Sequence, residues 1–413
     1  MRMEKTILKT TVFLITFFVT VPIIKAQTTQ VYAKDTLLQL NTITTAVPFL
    51  LIAPESRGGG MGDAGVASSP DANSIHWNPA KLAFIEQDLG FAMSVTPWLR
   101  QLVPDINLYY LSGYKKLNDN QSIGASLRYF SLGDITFTNE FGNVIGQYKP
   151  HEFAVDFAYA RKLGEEISGG LALRYIYSNL TGGIHVGGAQ SKAGTSVAVD
   201  ISSYYEKETQ IGKKDAILAF GANISNIGAK MSYTESGNKD FIPINFRLGG
   251  STRLNLDEFN QLGILLDFNK LLVPTPPVYA RDPVTNEPIR DANGDWVIAY
   301  GEDPDVPVVT GIFQSFSDAP GGFKEELREI NISAGLEYWY DQQFAFRTGY
   351  FYEHASKGNR KFFTLGAGLK YNIFGLNFAY LIPTEQTNPL EGTIRFSLLF
   401  NWVKGAKEET PAE

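Results

Sequence analysis

The chain has 413 residues, a formal net charge of −7 and no cysteine; 13% of it is aromatic, with 20 Tyr and 28 Phe, and it holds 39 Gly. Without a thiol there can be no disulfide, thiolate metal site or cysteine nucleophile, and the anionic balance argues against nucleic acid as a partner. Abundant aromatics beside abundant glycine suit a sheet that meets lipid on one face and bends around a lumen on the other.

Residues 1–26 predict an export signal. Arg2, Lys5 and Lys9 form a positive start, Thr11 to Ile24 an apolar core, and Ala26 before Gln27 a cleavage site. Its removal would take the net charge to about −10. That core of about 14 residues falls short of the roughly 20 a spanning helix needs, and no other stretch approaches that length. Residues 27–86 then divide into a polar periplasmic lead-in, Gln27 to Thr45, and a plug or hatch from Pro48 to about Glu86. The hatch carries a glycine cluster, which close backbone approach inside a barrel mouth requires. Its candidate residues are Arg57, Gly58, Gly60, Gly62, Trp77, Asn78 and Pro79. Proline fixes its own φ and biases the residue before it towards extended backbone, so Asn78-Pro79 ends one loop and starts the next element at a defined angle.

From about residue 87 onward the chain alternates with period two, the strand signal. Phe153, Val155, Phe157 and Tyr159 point one way and Ala154, Asp156, Ala158 and Ala160 the other; Ile394, Phe396, Leu398, Phe400 and Trp402 oppose Arg395, Ser397 and Asn401. Such segments fall near 87–97, 104–114, 121–132, 150–162, 167–179, 194–206, 214–225, 242–255, 260–271, 328–340, 343–354, 361–371, 374–382 and 391–402. The expected fold is therefore an all-β membrane protein, a 14-stranded antiparallel outer-membrane β-barrel over 87–403 with an N-terminal hatch. Asp156, Arg174, Asp200, Arg247, Asp267, Glu337 and Arg347 all fall on the face opposite the oily one. A soluble β-sandwich could not bury so many charges in a shared dry core.

Short links alternate with long ones, as they do between the periplasmic and extracellular ends of outer-membrane barrels. This predicts both chain ends in the periplasm and the long loops outside the cell. The longest, 272–327, carries ten acidic and three basic residues, and a loop of that length is usually functional or disordered. Trp296, Phe313, Phe316, Phe323, Glu325 and Glu326 are its partner-binding candidates, with one helical turn expected over Lys324 to Arg328. Residues 404–413 are expected to be a disordered tail.

Two motifs imitate ligand sites. Gly60-x-Gly62-x-x-Gly65 matches the dinucleotide fingerprint, but that motif works only between a strand and a helix of a βαβ unit, so the glycines are assigned to hatch packing and no cofactor is expected. Asp291, Asn293, Asp295 and Glu302 have the spacing of a calcium loop, yet Trp296 holds the position that needs glycine. An Asn293-Gly294 hairpin turn explains the segment better, so no metal is assigned and calcium stays only as a candidate loop stabiliser. His76, His151, His185 and His354 show no metal spacing and no neighbouring strand-end serine; no enzymatic activity is expected.

Several of these words resemble one family. Ala46-Val47-Pro48-Phe49-Leu50, the run Ser56 to Ala67, His76-Trp77-Asn78-Pro79-Ala80, Gly321 to Leu327, Gly349 to Tyr371, Asn388-Pro389-Leu390 and the final Ile394 to Trp402 look like the PorV group of type IX secretion outer-membrane proteins. That group is itself similar to the FadL-like barrels. The resemblance implies a non-enzymatic barrel that associates with the type IX translocon barrel. It would take up cargo proteins through their C-terminal signal domains and deliver them to the surface attachment complex, all within outer-membrane lipid. The alternative is FadL-like passive transport of hydrophobic small molecules.

Overall fold

The structure, a computed structural model, describes residues 40–402 apart from 101–102, 104, 139–140, 184, 187–188, 235–236, 238, 283 and 385–389. The expected signal, most of the lead-in and the tail lie outside the described residues. Fourteen strands form one closed barrel: β1 Leu89–Pro97, β2 Ile106–Asn118, β3 Gln121–Leu132, β4 His151–Lys162, β5 Ile167–Asn179, β6 Gly194–Ile211, β7 Lys214–Gly228, β8 Asn245–Asn255, β9 Asn260–Leu271, β10 Asn331–Tyr340, β11 Phe344–Tyr352, β12 Lys361–Tyr371, β13 Phe374–Pro383 and β14 Ile394–Trp402. Each pairs antiparallel with its sequence neighbour, and β1 closes on β14 from Leu89 opposite Trp402 to Val95 opposite Phe396. Closure leaves no strand edge unpaired, the condition for crossing a bilayer with strands.

The alternation decides which way each side chain points. In β4, Ala154, Asp156, Ala158 and Ala160 are buried while Phe157 and Tyr159 are exposed; in β5, Ala172, Arg174 and Ile176 are buried while Leu171, Leu173 and Tyr175 are exposed. The charges expected on the inner face, from Asp156 to Arg347, are all buried. Outward-facing Phe, Leu, Ile and Tyr make the lipid-facing wall.

At one end of the barrel, links such as 119–120, 212–213 and 372–373 join strands directly; at the other run long connections, including 229–244, 272–330 and 353–360. The strands reach further towards the short-turn mouth than the sequence implies, because polar pairs such as Asn118 with Gln121 and Gln210 with Asp215 continue the ladder past the alternating apolar run. A ladder needs backbone, not hydrophobicity, so its polar ends escape a pattern-based boundary. Small hairpins also stand in the long connections, Ile135–Thr138 with Val144–Tyr148 and Val278–Tyr279 with Ile298–Tyr300. In 272–330, α3 Val308–Gln314 is a helix the sequence did not announce, and α4 Phe323–Glu326 sits where one helical turn was expected.

Residues 46–85 lie in the lumen. They hydrogen-bond to inward-facing side chains of strands right round the ring, including Ser397 of β14, Thr364 of β12, Asp267 of β9, Ser202 of β6 and Ser168 of β5. Contacts on opposite arcs are possible only from inside. The segment contains 3-10 turns Pro48–Leu51 and Pro79–Phe84 and two short helices, here numbered by type from the chain start as α1 Ser56–Gly59 and α2 Ser74–Trp77. Both 3-10 turns begin on a proline, whose fixed φ suits a first helical position.

The two chain ends, expected together in the periplasm, lie outside the described residues; the described stretch begins at the mouth that carries the long connections. Asn41 bonds to Ser356 and Pro276, and Ala46 to Phe241, all at the long-loop mouth. The segment then descends to Asp88, whose N–H meets the Trp402 carbonyl at the short-turn mouth where β14 ends. Residues 41–88 therefore run through the barrel from one mouth to the other.

Candidate functional site

Glu55 organises the inner segment. Its carboxylate accepts the N–H groups of Arg57 (2.5 Å) and Gly58 (2.6 Å) at the start of α1, and the Trp77 indole N–H at 3.0 Å. An acid placed there satisfies donors that a helix start leaves without partners. A Cβ on Gly58 would overlap the Trp77 ring, and one on Gly62, at φ +70°, would lie 2.6 Å from the Tyr350 nitrogen of the wall. On its other side Trp77 faces Arg247, whose guanidinium carbon is 4.7 Å from the ring centre, a cation–π contact strengthened by exclusion of water.

Arg57 ties the segment to the barrel. Its Nε and Nη2 donate to the two oxygens of Glu337 on β10 at 2.9 and 2.8 Å, and its Nη1 to Asp71 at 3.1 Å. Arg347 on β11 donates to the same Glu337 at 2.8 Å and to Asn377 at 2.8 Å. One carboxylate thus joins two guanidiniums in charge-assisted bonds, the arrangement that makes buried charge tolerable. On the opposite arc Arg174 bridges Asp156 (2.5 Å) and Asp200 (3.1 Å) and donates to Asn226. Asp267 accepts the Gly65 and Val66 N–H groups at 2.7 and 2.9 Å. Asn78 donates its amide to the Val66 and Ser203 carbonyls at 3.1 and 2.9 Å and accepts the Ala80 N–H at 3.0 Å, with Pro79 opening the next turn.

Two cavities flank the segment. One of about 440 Å³ opens towards the long-loop mouth, between Thr42 to Thr45, Trp98, Arg247, Phe351 and Arg395. The other, about 380 Å³, lies towards the short turns among Arg57, Asp71, Arg253, Trp339 and Arg347. They share no wall residue.

At the long-loop mouth the 272–330 connection is clasped by buried charge. Lys270 donates to Glu326 (3.0 Å) and Glu329 (2.6 Å), Lys357 to Glu325 (2.5 Å) and Glu329 (2.9 Å), and Asn41 to Glu325 (3.1 Å). Lys357 holds the Glu325 carboxyl below its ordinary range although partial burial works to raise it. Asp318 is buried, accepts the Thr275 N–H at 3.0 Å, and is pushed up to about 6 by burial and by the charges of Glu326 and Glu329. Glu325 and Glu326 are therefore occupied within the loop base. Phe313, Phe316 and Phe323 are 73%, 51% and 76% exposed; Trp296 is half-exposed and stacks under Arg290 at 3.7 Å.

The calcium-like spacing closes a turn. One Asp291 oxygen takes the N–H groups of Asn293 (2.8 Å) and Asp295 (3.0 Å), Gly294 has φ +95°, and Arg290 pairs with Trp296. Among the described residues no three His, Asp or Glu side chains gather as a metal site. Gly60, Gly62 and Gly65 are spread along the inner segment against Arg347, Tyr350 and Trp77. His76 is buried beside Trp77, its Nδ1 2.7 Å from Arg128. Glu55, Lys270, Lys357 and Glu329 were not singled out from the sequence, since nothing local distinguishes a clasping lysine or acid from a solvated one.

The family model described as "Type IX secretion system protein PorV" matches residues 35–278. No curated protein matches. Among solved structures, the toluene transporter TbuX of Ralstonia pickettii is similar at 10% identity and TM-score 0.45, covering 88% of this chain and 99% of its own. The toluene transporter TodX of Pseudomonas putida gives 10%, 0.45, 87% and 98%, and a Pseudomonas aeruginosa FadL homologue 10%, 0.42, 85% and 99%.

Proposed function

The chain belongs to the PorV family of type IX secretion system proteins, and on that premise we propose that this outer-membrane barrel is a receiving station for exported proteins. It takes cargo, through the C-terminal signal domain, from the translocon barrel and passes it to the surface attachment complex. The long connections face out of the cell and the short turns face the periplasm, the usual arrangement of link lengths. The observation that carries the reading is the set of exposed aromatic side chains on 272–330, Phe313, Phe316 and Phe323, on a connection held at the mouth by a buried clasp. Exposed aromatics on a fixed scaffold are the usual anchors of protein interfaces.

The lumen supports the same reading by being filled. A polypeptide cannot pass where Arg57, Glu337 and Arg347 close the middle, so cargo is handled at the mouth. Transport of small hydrophobic molecules would need one continuous apolar route, and the two cavities have no wall in common.

The test is recovery of cargo with the detergent-extracted barrel. Replacing Phe313, Phe316 and Phe323 together by serine weakens cargo binding roughly a hundredfold or more, at about 1 to 2 kcal/mol for each lost anchor, and recovery falls accordingly. Folding of the barrel, read as its heat-modifiable gel mobility, is unchanged. Undiminished recovery would refute the loop as receptor.

A further inference from the structure

We propose that the amino-terminal strap, 40–45, is displayed on the membrane face that carries the long connections, on the opposite side from the carboxyl-terminal end of β14. The strap is anchored there by three connections of that mouth. Asn41 donates its N–H to the Ser356 carbonyl (2.9 Å) and its side-chain amide to the Pro276 carbonyl (3.2 Å) and Glu325 (3.1 Å), and Ala46 donates to the Phe241 carbonyl (2.9 Å). Thr42 to Thr45 form a wall of the 440 Å³ cavity, and Leu40 is 76% exposed.

Residues 40–45 stand on the long-loop side of the level at which Arg57, Glu337, Arg347 and Asp71 bond to one another, and the short turns lie beyond it. The strap also shares Glu325 with Lys357, so a partner that docks on the base of 272–330 meets the strap as part of the same surface. This placement rests on the path of the chain alone and not on the identity of any cargo.

The absence of cysteine makes the test direct, because one introduced thiol is the only reactive one. Leu40→Cys, Val309→Cys on α3 and Lys213→Cys in the β6–β7 turn are made singly and exposed to a membrane-impermeant maleimide, in intact cells and after lysis. Leu40→Cys is expected to label together with Val309→Cys in intact cells, while Lys213→Cys labels only after lysis. If the barrel were inserted the other way up, Val309→Cys and Lys213→Cys would exchange behaviour and Leu40→Cys would still follow Val309→Cys. Labelling of Leu40→Cys with Lys213→Cys, or protection of Leu40→Cys where Val309→Cys reacts, overturns the proposal. An Asn41→Cys, Ser356→Cys pair gives a second reading: mild oxidation closes a disulfide if the strap lies against 353–360, and leaves both thiols free if it does not.

Discussion

Glu337 is the single carboxylate between Arg57 of the inner segment and Arg347 of the wall. Glu337→Gln keeps the shape and removes the charge, leaving two buried guanidiniums without their shared counter-ion at about 3 to 5 kcal/mol. We expect trypsin to cut at Arg57 in the variant under conditions that leave the native chain intact; equal resistance would show that the pair is dispensable. Gly58→Ala acts through volume instead. The added methyl meets Trp77 and the Glu55 carboxylate, and overpacking of this kind costs about 1 to 3 kcal/mol, measured as a lower thermal midpoint in detergent. At this scale the sequence was half legible. The glycine cluster marked Arg57 and Gly58 because only close packing explains so many glycines in one place. Glu337 stood out only as a charge on an inward face, since a pairing across 280 residues leaves no local trace.

The 272–330 connection shows the same division at the scale of an element. Its length, acidity and one turn near Phe323 could be read directly, but α3 could not: Val308 to Gln314 is short, begins after a proline and has no side-chain cap. The clasp beneath it gives this loop a pH dependence. Asp318 binds its proton more tightly when docked, at about 6, than when released, at its ordinary 3.8. Docking therefore weakens as pH rises from about 4 to 6 and is weakest above that. His354 works the other way, because burial and the charges of Arg328, Lys361 and Lys357 lower its pKa and make its protonation unfavourable in the folded loop. The Asp318 share is isolated by comparing native chain with Asp318→Asn. Proteolytic release of the loop, normalised to an unfolded substrate, should be more strongly slowed between pH 7 and 5 in the native chain than in the variant. Identical profiles would remove Asp318 from the account.

For the molecule as a whole, alternation made the barrel legible: each outward Phe, Leu or Tyr implies an inward neighbour, and fourteen repeats close a ring. What alternation cannot report is the path of a segment that has no period, so the entry of residues 40–46 at the long-loop mouth emerged only in three dimensions. We expect that segment also to control conductance. With 46–85 in place the two cavities remain separate; deleting residues 56–77 should leave a wet, charged lumen. In planar bilayers the deleted form is expected to give stable open-channel current and the native form none, and a silent deletion variant would mean that the wall itself collapses inward.

The seam between β1 and β14 spans only Leu89 to Val95 on one side and Phe396 to Trp402 on the other, and a strand of polypeptide already passes through the hoop it fastens. A hoop sealed first could be filled only by pushing some forty residues and their charges through a finished aperture. We expect biogenesis to run in the reverse order, with the fourteen staves curling around a needle already lying in place and the last seam zipped after it.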